Sequence, residues 1–389
     1  MKRFVTFGTM VLILGSMACS SDDTTAATAD TATTPDTATT PDTAGTAIDV
    51  TSTPDVAADA STPDVGGDTT SSTTGVLCSL AENGVQNLAY SLNGGPNGNP
   101  SEIDEDLAYN FTWACSGADR TVTGNGVPNH AVTGGSFATQ LSAQTVSETF
   151  PLEPVLADAV TQVKEPGFAL NSVKFDPATA GTCPDNAVDD SDCNYAMGSD
   201  AWGMVATPGD TSPWKFGFGV DENDAHVQPN GQYHYHGIPV NLVAKLNPSN
   251  ATSMTLVGWA ADGFPMYSVE GHTDANDLTS AIADMKSSYK TVATPAANRP
   301  DVADFPLGHF TQDWEYVEGS GDLDECNGRL SATPEFPNGI YHYHLTRTYP
   351  FVQRCVKGDG VVETGGPGGG GPGGGGPGGG GPGGGGPPQ

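Results

Sequence analysis

Between residues 76 and 360 the chain sets short apolar runs between clusters of Gly, Pro, Asn and Asp. Leu107–Trp113, Ala169–Phe175, Trp214–Val220, Thr255–Ala260 and Ile340–Leu345 are the clearest runs, and their lengths and flanking turn residues predict strands. One stretch has a helical period instead. Leu278, Ile282, Met285 and Tyr289 are spaced for one helix face, with Asp274 or Asp277 placed as N-cap, so a helix is predicted there. The pattern as a whole predicts a mostly β protein: one large sandwich-like β domain over 76–360 with few short helices. That length is high for a single core but within reach of a large β domain.

The ends have no such pattern. Lys2 and Arg3 precede a short apolar run around Val11-Leu12-Ile13-Leu14, and small residues lead on to Cys19, so 1–18 read as an export signal too short to span a bilayer. Ser16-Met17-Ala18-Cys19 resembles a lipobox in which Cys19 is lipidated, although Ser16 stands where that motif usually has Leu; ordinary signal cleavage before Cys19 is the alternative. Ser20 after the cysteine points to the outer membrane. Residues 19–75 are almost all Thr, Ala, Asp, Pro and Ser, with Thr-Pro-Asp recurring at Thr34, Thr40, Thr53 and Thr62. Such a segment cannot bury enough apolar area to offset its chain entropy and reads as a disordered tether. Residues 361–389 hold glycine runs broken by single prolines, a disordered tail without the Gly-X-Y period of collagen. The expected location is the cell envelope, lipid-anchored, or secretion.

Charge and cysteines narrow the partners. The net charge is −32, from 46 acids against 14 bases. Such a surface repels nucleic acid and anionic lipid, so the only membrane contact expected is through the N-terminal lipid. Setting Cys19 aside, the seven cysteines leave an even number in an oxidising compartment. Connectivity does not follow from sequence, but pairing by the shortest loops gives Cys78–Cys115, Cys183–Cys193 and Cys326–Cys355.

Five of the eight histidines fall in two related segments. The first opens Asp221-Glu222-Asn223 and ends Pro229-Asn230-Gly231-Gln232-Tyr233-His234-Tyr235-His236, with His226 between. The second opens Asp324-Glu325-Cys326-Asn327 and ends Pro337-Asn338-Gly339-Ile340-Tyr341-His342-Tyr343-His344. Pro-Asn-Gly is turn chemistry, and Tyr-His-Tyr-His suits a strand. On a strand the tyrosines face one way and the histidines the other, with alternate Cα atoms about 7 Å apart. Two imidazoles so placed can converge on one ion at about 2.0–2.1 Å per nitrogen, and if the two strands are neighbours, four can do so. His226, His234, His236, His342 and His344 are therefore the candidate ligands, and imidazole suits a transition metal such as Zn or Cu. Asp262, Asp324 and Glu325 are candidate supports for them, or general bases, and turn formation is the plainer reading of all three. His130, His272 and His309 show no such pattern.

Asn171-Ser172-Val173-Lys174-Phe175-Asp176-Pro177, the segment Asp221–Gly237, Gly258-Trp259-Ala260-Ala261-Asp262-Gly263-Phe264-Pro265-Met266-Tyr267 and Gly319–Arg329 together resemble the YHYH domain family. The resemblance runs in order over most of 130–357 and implies a secreted or surface protein, with no settled activity to carry over. The family's namesake motif corresponds to Tyr233, His234, Tyr235 and His236; in relatives the second copy, Tyr341–His344, is less strict.

Asp185, Asp189, Asp190 and Asp192 cluster between Cys183 and Cys193 without the glycine or bidentate Glu of a calcium loop, and read as a solvated loop. Gly-x-Ser-x-Gly, a Walker-type loop and His-Glu-x-x-His are all absent. Three classes remain: a surface metal-binding module, a metal-dependent or general-base enzyme at the same histidines, and a structural or adhesive domain whose motif only builds the core.

Overall fold

Alternation of apolar side chains accounts for the first of two main sheets. In the computed structural model, which describes residues 75–361 apart from 93–100, 180, 196–197, 207–218 and 250, it comprises β1 (Ala81–Leu92), β2 (Ser101–Ser116), β3 (Asp119–Gly124), β4 (Val132–Phe137) and β5 (Val146–Pro151) in the order β4-β1-β2-β3-β5. All pairs are antiparallel except β1 with β4. Leu88 and Tyr90 on β1, Phe111 and Trp113 on β2 and Phe137 on β4 lie two residues apart or at strand ends and are buried, while their neighbours meet water.

The second sheet has eight short strands: β6 (Gly167–Ala169), β7 (Lys174–Phe175), β8 (Ala225–Val227), β9 (Tyr233–Tyr235), β10 (Leu256–Ala260), β11 (Pro265–Tyr267), β12 (Gly328–Ser331) and β13 (Ile340–His344). Their order is β8-β9-β7-β6-β10-β11-β13-β12. Order and direction read the same from either end. In each half an antiparallel hairpin (β6–β7, β10–β11) lies beside a parallel neighbour (β9, β13), which pairs with the strand preceding it in the chain (β8, β12). The antiparallel pair β6–β10 joins the halves.

One face of this sheet packs on the first. The Phe150 and Phe168 rings lie 6.2 Å apart and those of Phe137 and Tyr233 6.3 Å, Trp113 Nε1 donates to the Leu170 carbonyl at 2.8 Å, and the Arg120 guanidinium lies 3.4 Å from the Trp259 ring. Both sheets share one apolar core, as expected for a mostly β, sandwich-like domain.

Three disulfides, Cys78–Cys115, Cys183–Cys193 and Cys326–Cys355, match the shortest-loop pairing. They mark an extracellular or cell-envelope protein. No helix among the described residues is long and apolar enough to cross a membrane. The expectations for 1–18, Cys19, 19–74 and 362–389 lie outside the described residues, as does most of Trp214–Val220.

The helix predicted around Leu278–Tyr289 does not form. Ile282–Asp284 is a strand paired with Glu270–His272, and Tyr289–Thr291 pairs with Trp314–Tyr316. Asp274 and Asp277 do not cap a helix but close turns, accepting from Asn276 N at 2.9 Å and Thr279 N at 2.7 Å. Side-chain acceptors of this kind offer the backbone an alternative to helical hydrogen bonds. The one α-helix among the described residues, α1 (Val240–Leu246), was not predicted. It follows Pro239, buries Leu242 and packs Val243 and Leu246 on the core. The run Ala169–Phe175 is split into β6 and β7 by a turn at Ser172, which has φ 67°.

Candidate metal centre

The β8–β9 hairpin sets His226 directly opposite His234 in register, so both rings leave the same face of the sheet. His236 continues that face two residues on, where its backbone N–H donates to the Asp224 carbonyl at 2.7 Å and prolongs the hairpin. The turn between the strands needs Gly231: its φ is 88°, and a Cβ there would run into Ser142 Oγ.

The three rings form a near-equilateral triangle. Centroids are 4.7 Å apart for His226–His234, 4.7 Å for His226–His236 and 4.6 Å for His234–His236. One ring nitrogen from each lies within 4.8 Å of the others, and His226 Nε2 and His236 Nε2 are 3.1 Å apart. Tetrahedral coordination with bonds of about 2.0 Å needs nitrogens about 3.3 Å apart. Nδ1 of His234 faces the Gln232 carbonyl at 3.2 Å, which places its proton there and leaves the Nε2 lone pair free to ligate. His234 and His236 are buried and His226 is half-buried, so the triangle has a covered side and an accessible one.

Burial holds the His234 and His236 imidazoles well below their usual pKa, with the neighbouring histidines adding to the effect. Neutral imidazole is the ligating form. Lys174, opposite His234 in register on β7, shares this face; its Nζ is 2.8 Å from Glu165 and 3.2 Å from Asp176, which offset its charge. No local pattern signals that Lys174 stands here, because the parallel pairing of β7 with β9 is a long-range contact.

His342 and His344 do not join this cluster. Their strand β13 is separated from β9 by β7, β6, β10 and β11, roughly 24 Å along the sheet at about 4.8 Å per step. The four imidazoles of the two Tyr-His-Tyr-His strands therefore do not line one site, contrary to the neighbouring-strand arrangement the sequence allowed. His342 and His344 make a pair of their own, with Nε2 atoms 3.2 Å apart. Nδ1 of His342 donates to the Ile340 carbonyl at 2.9 Å and Nδ1 of His344 to that of Ser268 at 2.8 Å. Both are fully buried, with the Tyr267 ring 5.2 Å and 6.0 Å away.

The tyrosines lie on the opposite face, and the candidate carboxylates go with them. Tyr343 Oη donates to Asp262 at 2.5 Å and Tyr341 Oη to Asp324 at 2.8 Å; Glu325 pairs with Lys357 at 3.2 Å. His130 Nε2 lies 2.6 Å from Tyr235 Oη on that face, His272 is in the hairpin strand Glu270–His272, and His309 packs between the Phe305 and Phe310 rings. In the acidic loop Asp189 caps a short turn and Asp185 accepts from Trp202 Nε1, so these carboxylates serve local structure.

The chemistry on this face is that of three clustered imidazoles, placed so that they could hold a metal ion. No curated protein and no solved structure matches the chain. Residues 147–358, more than half of its length, match the YHYH protein family, and the chain belongs to that family.

Proposed function

We propose that this chain is a transition-metal-binding protein of the cell surface that holds one ion, Zn or Cu, between His226, His234 and His236. The observation that carries the reading is the triangle itself: three imidazoles from one hairpin, two of them held neutral by burial, with one ring nitrogen of each within 4.8 Å of the others and the His226 and His236 Nε2 atoms 3.1 Å apart, near the edge of a coordination tetrahedron. Three protein ligands and one accessible side leave a fourth position for water or a small ligand. The enzyme alternative that would use Asp262, Asp324 or Glu325 as base loses support, since those carboxylates hold tyrosines and a lysine in the other half.

In the same reading the domain is tethered by a lipid on Cys19 and held off the outer membrane by the Thr/Asp/Pro-rich segment. Cys19→Ser is expected to move the chain from the membrane fraction to the soluble one. The site itself is tested on the full-length chain by counting bound metal after dialysis in metal-free buffer. One ion per chain is expected, lost with His234→Ala plus His236→Ala. An unchanged ion count in that variant would refute the reading.

A further inference from the structure

The symmetry of the eight-stranded sheet extends to individual hydrogen bonds. Asp221 Oδ1 accepts from Asn223 N at 2.8 Å and Ala225 N at 3.2 Å, and Asp324 Oδ1 from Cys326 N and Gly328 N at 2.9 Å each. The other oxygen of each aspartate accepts the first motif tyrosine, Tyr233 at 2.5 Å and Tyr341 at 2.8 Å. Three residues after each aspartate comes a residue in the left-handed region, Asp224 at φ 51° and Asn327 at φ 57°. Their carbonyls accept the backbone N–H of His236 at 2.7 Å and of His344 at 2.9 Å. The second motif tyrosine is met by the same turn in both halves: Asn171 Nδ2 donates to Tyr235 Oη at 2.9 Å, and Asp262 accepts from Tyr343 Oη at 2.5 Å. His234 and His342 each turn Nδ1 to the carbonyl two residues back.

This correspondence fixes which residue answers to each ligand. His234 answers to His342 and His236 to His344. His226 lies opposite His234, and the residue opposite His342 is Arg329. Its Nη1 is 2.9 Å from Met285 Sδ and 3.3 Å from the His272 carbonyl, so a guanidinium occupies the third-ligand side of the second pair. The pair keeps part of the first arrangement: both its Nδ1 atoms donate to carbonyls, as that of His234 does, and its Nε2 atoms lie 3.2 Å apart, close to the 3.1 Å between those of His226 and His236. Coordination chemistry needs a third donor there, and a fixed positive charge opposes a divalent cation.

We infer that the two halves are copies of one metal-binding unit, that the second has exchanged its third ligand for Arg329, and that this position sets how many transition-metal ions the chain carries. The inference rests on the proposed role of the first centre, and its test separates the two. Full-length chain, stripped of metal and loaded with Zn²⁺, is dialysed and its zinc counted. Wild type is expected to hold one ion, Arg329→His two, and Arg329→His with His342→Ala one again. Arg329→Asp supplies a smaller ligand at the same place and is expected to give two ions if the histidine variant does not fold. One ion in wild type and still one in a folded Arg329→His or Arg329→Asp variant would overturn the inference alone. Two ions in wild type would also overturn it. No ion in wild type would overturn the reading of the first centre, and this inference with it.

Discussion

The two halves of the eight-stranded sheet share a backbone plan and differ in what they place on the histidine face. The first presents three imidazoles, a half-buried approach through His226 and the polar group Lys174, Glu165 and Asp176. The second presents two imidazoles, an arginine, and a cover formed by Tyr267. Pro265 of β11 stands where β7 has Lys174. The paired tyrosines and the aspartate loop recur in both, so those features build the fold. The parts that vary are the ones a metal would feel. In the proposed reading the motif alone does not make a metal centre, and the third ligand from the preceding strand decides.

Four expectations sharpen or break this contrast. The largest concerns metal: His234→Ala plus His236→Ala should weaken zinc binding more than about 100-fold, since loss of a mere supporting contact already costs 10–100-fold. His342→Ala plus His344→Ala should leave zinc affinity unchanged, as read by competition with a chromophoric chelator. Next is how each aspartate loop is pinned. In the second half Cys326 is bonded to Cys355, so Cys326→Ala plus Cys355→Ala should destabilise by about 2–4 kcal/mol in denaturant melts under oxidising conditions. In the first half the same position is Asn223, whose side chain donates to the Ala131 carbonyl at 3.2 Å and accepts from Asn241 N at 2.9 Å. Asn223→Ala should destabilise by about 1–3 kcal/mol, because it strands buried polar partners.

The smallest effect is a difference in acid response. His130, which bonds Tyr235 in the first half, is pushed by burial down to about 4. The unfolded chain binds that proton from about pH 6.5 downward and the folded chain does not, so its contribution is complete above pH 6.5 and lost as pH falls toward 4. Asp262, which bonds Tyr343 in the second half, is raised by burial. The folded chain keeps a proton there that the unfolded chain releases, so this contribution declines as pH rises above about 3.8, the opposite sense. Asp221 and Asp224 beside the first motif are also raised by burial, to about 6 and about 7, and act in the same sense as Asp262, so a variant isolates the His130 share. In metal-free protein, acidification from pH 6.5 to 4 should raise the opening equilibrium of the β8–β9 hairpin less in His130→Gln than in wild type, and leave that of β12–β13 the same in both. Hydrogen exchange, corrected for its intrinsic pH dependence, reads this out, and an equal rise in variant and wild type would remove the His130 contribution.

Much of this was legible in the sequence where the signal is local. Alternation marked β2, β10 and β13, the shortest loops gave the disulfides, and strand periodicity put tyrosines and histidines on opposite faces. Two failures have a common cause. Leu278–Tyr289 has helical spacing, but Asp274, Asp277 and Thr279 take up turn hydrogen bonds, and the segment is drawn into pairing with distant strands. The two histidine motifs were allowed to be neighbours because nothing in either string says which strand lies beside it; β6, β7, β10 and β11 come between them from elsewhere in the chain. The signal that went unused was alignment from Asp221 and Asp324 forward, which sets His226 against Arg329 without any structure.

The most direct test is anomalous diffraction from crystals of the wild-type protein grown with zinc. The account predicts a peak enclosed by the Nε2 atoms of His226, His234 and His236, and no peak between His342 and His344. A peak at the second pair, or bare density inside the first triangle, would contradict it.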